Sequence, residues 1–256
     1  MRKYGQHFLI NEGVINLIVD AAGILKAQQW VEIGPGRGAL TFRMLERGYT
    51  KLTLVEIDPD MVSFLKANMP PANEVRIVQK DFLKFDWGEI PPVPTTFVSN
   101  LPYIDAADIL DKVLQFEHFR AAVFMFQKEQ AQRIRAKAGE EFYGPLSISS
   151  QLRAVINPLC KVGKHSFNPP PKVESAVLTF ERLPQVEVSR ENWKKFEKMV
   201  SSVFLHRRKT ITNALSLAGY CAEQLIPALE KTGISPKARP EQISPEKYVQ
   251  LFRYIG

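Results

Sequence analysis

Cysteine and histidine are scarce in this chain, with two and four copies among 256 residues. Cys160 and Cys221 stand far apart, and no set of His, Cys and carboxylate residues has metal-ligand spacing. Neither a disulfide framework nor a metal site is expected, and the cysteines read as free core thiols of a reducing cytoplasm. No Ser or Cys sits in a nucleophile motif, which argues against a covalent intermediate. No apolar run reaches the roughly 18 residues of a membrane span. Residues 1–6 lack the apolar stretch of a signal peptide, so a cytoplasmic location is expected. There is no internal repeat and no low-complexity tract.

What is present is a chain 45% apolar, enough for a substantial core. Its net charge is +7, and the excess is unevenly placed. Residues 1–181 carry 21 Lys and Arg against 20 Asp and Glu, whereas residues 182–256 carry 13 against 7. A basic segment beside a neutral one suits a polyanionic partner such as nucleic acid, and equally a well-solvated helical surface.

Up to residue 181, short β-rich runs alternate with helical patterns. Strands are expected at 30–33, 51–56, 75–78, 95–99, 121–126, around 150–157 and at 175–181. Helices are expected near 39–47, 59–69, 104–116 and 127–137. Such alternation predicts an α/β fold with a doubly wound, mostly parallel seven-stranded sheet. After Leu183-Pro184 the pattern becomes helical, at 191–204, 207–218, 222–231 and 245–254, with Ser244 as an N-cap and Pro245 at the first helical position. Two domains follow: 1–185, catalytic, and 186–256, helical and basic.

Gly34-Pro35-Gly36-Arg37-Gly38 follows a strand and opens a helix. Glycines there allow a tight turn and close approach of backbone N–H groups to a ligand. The dinucleotide fingerprint needs its third Gly three places after the second. Here the interval from Gly36 to Gly38 is two, and Glu32 precedes the run, a spacing that favours S-adenosylmethionine (SAM). Glu56 ends the second strand, where a carboxylate can accept both hydroxyls of a ribose. Asp81, after the third strand, is a candidate for the adenine amino group or a turn residue. Ile57 and Phe82, beside these acids, complete the candidate cofactor set.

Asn100-Leu101-Pro102-Tyr103 closes the fourth strand. Methyl transfer to an exocyclic amine requires its delocalised lone pair to be drawn out and aimed. The Asn100 side-chain oxygen and the Leu101 carbonyl can accept the two N–H bonds, Pro102 fixes the backbone, and Tyr103 can stack on the base. Positioning and electrostatics, not a strong base, would supply the rate. The alternative is a Pro turn with a buried Tyr.

With these residues the chain resembles the bacterial small-subunit ribosomal RNA adenine N6,N6-dimethyltransferase family. Tyr4-Gly5-Gln6-His7-Phe8-Leu9, Glu32 to Thr41, Gln127-Lys128-Glu129, Tyr143-Gly144-Pro145-Leu146-Ser147, Phe167-Asn168-Pro169-Pro170-Pro171-Lys172-Val173-Glu174-Ser175-Ala176 and Arg207-Arg208-Lys209-Thr210 also match its motifs. The resemblance implies that the stretch Gln6-His7-Phe8-Leu9 closes over SAM, and that His7, Leu9, Gly34, Glu56, Asp81 and Asn100 bind or border it. It implies that Asn100, Leu101 and Tyr103 hold the target adenine, with Phe167 covering the other face of the base. It further implies that two adjacent adenines near the 3′ end of small-subunit RNA are dimethylated in an immature subunit, by a monomer. Arg207, Arg208 and Lys209, expected at a helix start, and Lys172 are the candidate RNA contacts.

One departure stands out: the family usually continues its Asn-Leu-Pro-Tyr with Asn or His and then Ile, whereas this chain has Ile104-Asp105. Asp105 can cap the next helix or alter how the base enters. That departure keeps a second function open, an RNA-binding assembly factor with secondary catalysis. A dinucleotide oxidoreductase is disfavoured by the glycine spacing, and methylation of DNA adenine or protein glutamine by Asn100-Leu101.

Overall fold

The structure, a computed structural model, describes residues 7–25, 27–70 and 74–255. The described residues form two compact units, one running up to Ala131 and including Val155–Arg182, the other made of Gln132–Ala154 and the chain from Leu183 onward.

In the first unit the chain runs β1 (Phe8–Leu9), α1 (Glu12–Ile24), β2 (Gln29–Ile33), α2 (Ala39–Glu46), β3 (Leu52–Glu56), α3 (Pro59–Asn68), β4 (Val75–Gln79), β5 (Thr95–Asn100), α4 (Ala106–Leu114) and β6 (Phe119–Gln127). After α5 (Lys128–Arg135) and α6 (Pro145–Gln151) come β7 (Ala154–Val162), β8 (Phe167–Asn168) and β9 (Ser175–Arg182). Seven strands make one sheet in the order β4-β3-β2-β5-β6-β9-β7. Strands β2 to β6 pair in parallel, and β9 is antiparallel to β6. The buried run Ala121–Phe126 in β6 is apolar throughout, as a strand covered on both faces requires. The chain winds outward from β2 to β4 and returns to place β5 on the other side of β2. The topological switch point, where such sheets bind ligands, therefore lies between β2 and β5. A separate two-stranded ladder pairs Phe8 with Asn168 and Leu9 with Phe167, antiparallel.

Helix α1 was not among the expected elements, although its buried residues Val14, Ile15, Ile18, Val19 and Ala22 have helical spacing. The Asn11 side chain caps it, accepting the Val14 N–H at 3.1 Å. The strand expected around 150–157 begins later, at Ala154, because residues 145–151 are helical. Pro145 occupies the first position of that helix, and the Ser147 hydroxyl accepts the Gly144 N–H at 3.1 Å.

The second unit adds α7 (Arg190–Phe204), α8 (Ile211–Leu217), α9 (Ala222–Thr232) and α10 (Pro245–Ile255). Its core joins Tyr143 and Ile148 to Trp193, Phe196, Val203, Leu215, Leu229, Tyr248 and Phe252. The buried Tyr143 hydroxyl donates to the Ile243 carbonyl at 2.7 Å. A single division after residue 185 therefore misses an excursion: residues 132–154 precede the last strands in sequence yet pack with the helices. Both cysteines are free; Cys160 is half-buried and packs against the core of the first unit, whereas Cys221 is exposed and is no core thiol.

Candidate active site

The ends of β2, β3 and β5 are fastened together by polar contacts at the switch point. The buried Ser99 hydroxyl donates to the Ile33 carbonyl at 2.5 Å, and the Gly34 N–H donates to the Val55 carbonyl at 2.9 Å. Above these ends opens a cavity of about 730 Å³. Of the residues expected there, His7, Leu9, Gly34, Gly36, Glu56, Ile57, Asp81, Phe82, Asn100, Leu101, Pro102 and Tyr103 line it.

The glycine turn shapes one wall. Gly36 has φ +54, and a Cβ added to it would stand 3.1 Å from the Phe8 ring. Arg37 places its guanidinium 5.0 Å from the centre of the same ring. Phe8 was expected only as part of the stretch Gln6-His7-Phe8-Leu9 and Arg37 only as part of the glycine run, and neither was given a role of its own. Gly38 differs from expectation. It does not line the cavity but starts α2 with φ +77, and an added Cβ would collide with Phe42 and Leu65, so this glycine serves helix packing.

Glu56 is buried and fixes the turn: one carboxylate oxygen accepts the Gly36 N–H and the other the Asp58 N–H, each at 2.9 Å. Burial raises its pKa, and these backbone N–H groups oppose the rise. Asp81 is both a turn residue and a cavity residue, accepting the Leu83 N–H at 2.9 Å through one oxygen.

Glu32, also in the lining, is 2% exposed and accepts the Thr41 hydroxyl at 2.5 Å. Burial pushes its pKa up to about 8, against the Thr41 bond and with help from the neighbouring Glu56 charge. The folded protein then holds a proton that the unfolded chain releases near 4.5, so stability falls as pH rises from there through about 8. Thermal melts of ligand-free protein should show this decline, and Glu32→Gln, which can still accept from Thr41, should flatten it. Equal slopes in the two proteins would refute the assignment.

On the opposite wall, the Asn100 amide Nδ2 donates to the His7 carbonyl at 3.1 Å. That bond fixes the orientation of the amide and leaves Oδ1 as an acceptor at the cavity. His7 Nδ1 donates in turn to the Pro169 carbonyl at 2.8 Å. The Tyr103 ring lies 6.1 Å from that of His7, inclined by 27°, and its hydroxyl meets Ser175 Oγ at 3.1 Å. Ile104 is 94% exposed at the cavity edge. Asp105 holds the N-cap position of α4 but makes no capping bond with its side chain, contrary to the expected cap.

Phe167 departs from its expected place. It is buried with Leu9, Ile15 and Val162 in the core and does not line the cavity. Successive strand residues face opposite sides, so in β8 it is Asn168 that reaches the lining. Gln6 lies outside the described residues.

Among the expected RNA contacts, Lys172 is exposed between β8 and β9. Arg207, Arg208 and Lys209 occupy the turn between α7 and α8 and not a helix start, because α8 begins only at Ile211 behind its Thr210 cap. Arg207 is half-buried and donates to the Glu141 carbonyl at 2.8 Å, so it braces its own unit. Arg208 and Lys209 are exposed. Among the described residues no group of three or more His, Cys, Asp or Glu is placed to hold a metal ion, and no helix is long and apolar enough to cross a membrane.

Comparison with known proteins places this geometry. The family model described as ribosomal RNA adenine dimethylase matches residues 1–256. A ribosomal RNA small subunit methyltransferase A from Malacoplasma penetrans is 39% identical over 98% of this chain and 90% of its own length. One of the same name from Bdellovibrio bacteriovorus is 35% identical over 100% of this chain and 92% of its own. Among solved structures, a dimethyladenosine transferase from Plasmodium falciparum superposes with a TM-score of 0.82, at 24% identity over 96% of both chains. The 23S rRNA methyltransferase ErmE superposes with a TM-score of 0.74, at 26% identity over 97% of this chain and 99% of its own.

Proposed function

This chain belongs to the ribosomal RNA adenine dimethylase family, and from that premise we propose how its residues carry out the reaction and on which RNA. It is a SAM-dependent rRNA adenine N6-dimethyltransferase. Its substrate is a pair of adjacent adenines near the 3′ end of small-subunit RNA, in an immature subunit, and it acts as a cytoplasmic monomer.

The cavity fits the cofactor. Its volume, about 730 Å³, lies within the roughly 300–1,000 Å³ of cofactor pockets. A Cβ at Gly34 would meet nothing within 4 Å, so the missing side chain there leaves open space for a ligand. His7, Leu9, Gly34, Gly36, Glu56, Ile57, Asp81 and Phe82 would hold it, with Glu56 receiving ribose hydroxyls on its remaining lone pairs. When bound, SAM supplies an electrophilic methyl group.

The observation that carries the mechanism is the Asn100 amide, which lines the cavity and spends its Nδ2 on the His7 carbonyl, leaving Oδ1 as its acceptor. Asn100 Oδ1 and the Leu101 carbonyl accept the two amino hydrogens of a flipped adenine, which directs the nitrogen lone pair into the site. Pro102 stiffens this grip, and Tyr103 offers its ring to the base. An amide oxygen is no base at neutral pH, so the displaced proton leaves to solvent. Extruding the adenine costs a few kcal/mol, less from a loop.

Purified protein given SAM and immature small subunits should produce N6,N6-dimethyladenosine, read by mass spectrometry of the digested RNA. Absence of the modified nucleoside would overturn this reading. Because Arg207 is engaged within its unit, the RNA role falls to Arg208, Lys209 and Lys172. The double variant Arg208→Ala/Lys209→Ala should keep SAM affinity. Its RNA affinity should drop, with a salt slope shallower by about 1.4, two phosphate contacts on a single strand. An unchanged slope would remove those two residues from the RNA contact.

A further inference from the structure

Lys112 sits on α4, one turn beyond the cavity residue Ile109, and its ammonium reaches neither substrate space nor a salt bridge. It donates instead to two backbone carbonyls of the turn after β4, that of Leu83 at 2.8 Å and that of Phe85 at 2.6 Å. The same nitrogen lies 5.6 Å from the centre of the Phe82 ring and 5.3 Å from that of Trp87. Phe82, Phe85 and Trp87 pack with Phe97 and Phe116, so the half-buried ammonium lies against an aromatic cluster. Burial lowers the Lys112 pKa, against the nearby Asp81 and Asp86 carboxylates.

An ammonium is not needed to cover the rings. A methionine there would pack on the rings without desolvating an ammonium. What the ammonium adds is direction: two charge-assisted bonds set where the backbone of residues 83–85 lies. Of that backbone Leu83 lines the cavity, as do Asp81 and Phe82 just before it, and the Leu83 N–H holds one Asp81 oxygen. Helix α4 follows directly on Asn100–Asp105, so Lys112 ties that segment to the turn that follows β4.

We propose that Lys112 is a positioning residue of the cofactor pocket: by clamping the Leu83 and Phe85 carbonyls it aims the second Asp81 oxygen at the adenine amino group of SAM. The inference rests on the cofactor reading above and deepens it, since it makes recognition of the adenine amino group depend on a residue that touches no ligand.

The test compares binding of S-adenosylhomocysteine with that of its inosine analogue, in which a carbonyl replaces the amino group, by titration calorimetry. Wild-type protein should prefer the adenosine compound by about tenfold or more, ~1.4 kcal/mol. Lys112→Met should bind both with nearly equal affinity, and its loss of activity should appear in KM for SAM more than in kcat. A merely structural role would weaken both compounds alike and leave their ratio intact. If Lys112→Met does not fold, the ratio is read in Lys112→Gln, which keeps a single donor group. A wild-type ratio in whichever variant folds overturns the proposal, as does a wild-type protein indifferent to the amino group. A wild-type protein that binds neither compound would overturn the cofactor reading itself.

Discussion

Replacing Asn100 by alanine should lower the single-turnover rate of methyl transfer by about 10²–10³-fold, the usual consequence of deleting one preorganised polar contact to a reacting group. On the proposed reading the side chain has two jobs in one amide. Its Nδ2 is held by the His7 carbonyl at 3.1 Å, and that contact spends the donor and presents the acceptor. Alanine removes the acceptor, and the adenine nitrogen keeps its lone pair in the ring. Asn100→Asp separates the two jobs. A carboxylate would still accept an amino hydrogen but would face the His7 carbonyl with a like-signed oxygen, so its rate should also fall. Labelled methyl from SAM, followed into small-subunit RNA, reads both variants. A rate within threefold of wild type for Asn100→Ala would remove this residue from the chemistry.

The second large effect is expected in affinity. Glu56→Ala should weaken SAM binding by about 10²–10³-fold, since hydrogen bonds to a charged group contribute roughly 1.5–3 kcal/mol each. The carboxylate holds the Gly36 N–H and the Asp58 N–H, so its loss frees the glycine turn as well as removing the proposed ribose contact. Glu56→Gln is expected to fall between the two. It keeps one acceptor, but its NH₂ must face one of those two backbone donors. Calorimetry with S-adenosylhomocysteine measures this directly, and a Kd within threefold of wild type for Glu56→Ala would exclude the role.

The sheet was legible because periodicity is local. Strands such as Thr95–Asn100 and the glycine turn announce themselves within ten residues, and the spacing of Gly34, Gly36, Glu56, Asp81 and Asn100 over successive strand ends located the cavity. What escaped was set by partners distant in the chain. Residues 132–154 lie between strands, and only packing against α7 and α10 assigns them to the helical unit. Phe167 and Asn168 look equally suited to a site until the β1–β8 register decides which of them faces it. Arg207 reads as one cation of three until Glu141 and Glu241 are found beside it. Lys112 carries no motif at all, since its meaning lies in two carbonyls 27 and 29 residues away.

The ladder between β1 and β8 has a consequence for synthesis of the protein. Residues 8 and 9 are made well before their backbone partners, residues 167 and 168, and the His7 ring waits for Pro169. A growing chain that already holds the glycine bend, Glu56 and Asn100 still lacks one rim of its nucleoside cup. A truncation upstream of residue 167 would leave β1 without its partner strand and would also remove β9, which stands between β6 and β7 in the sheet, so the rim of the cup and the far edge of the sheet are completed by the same late stretch of chain.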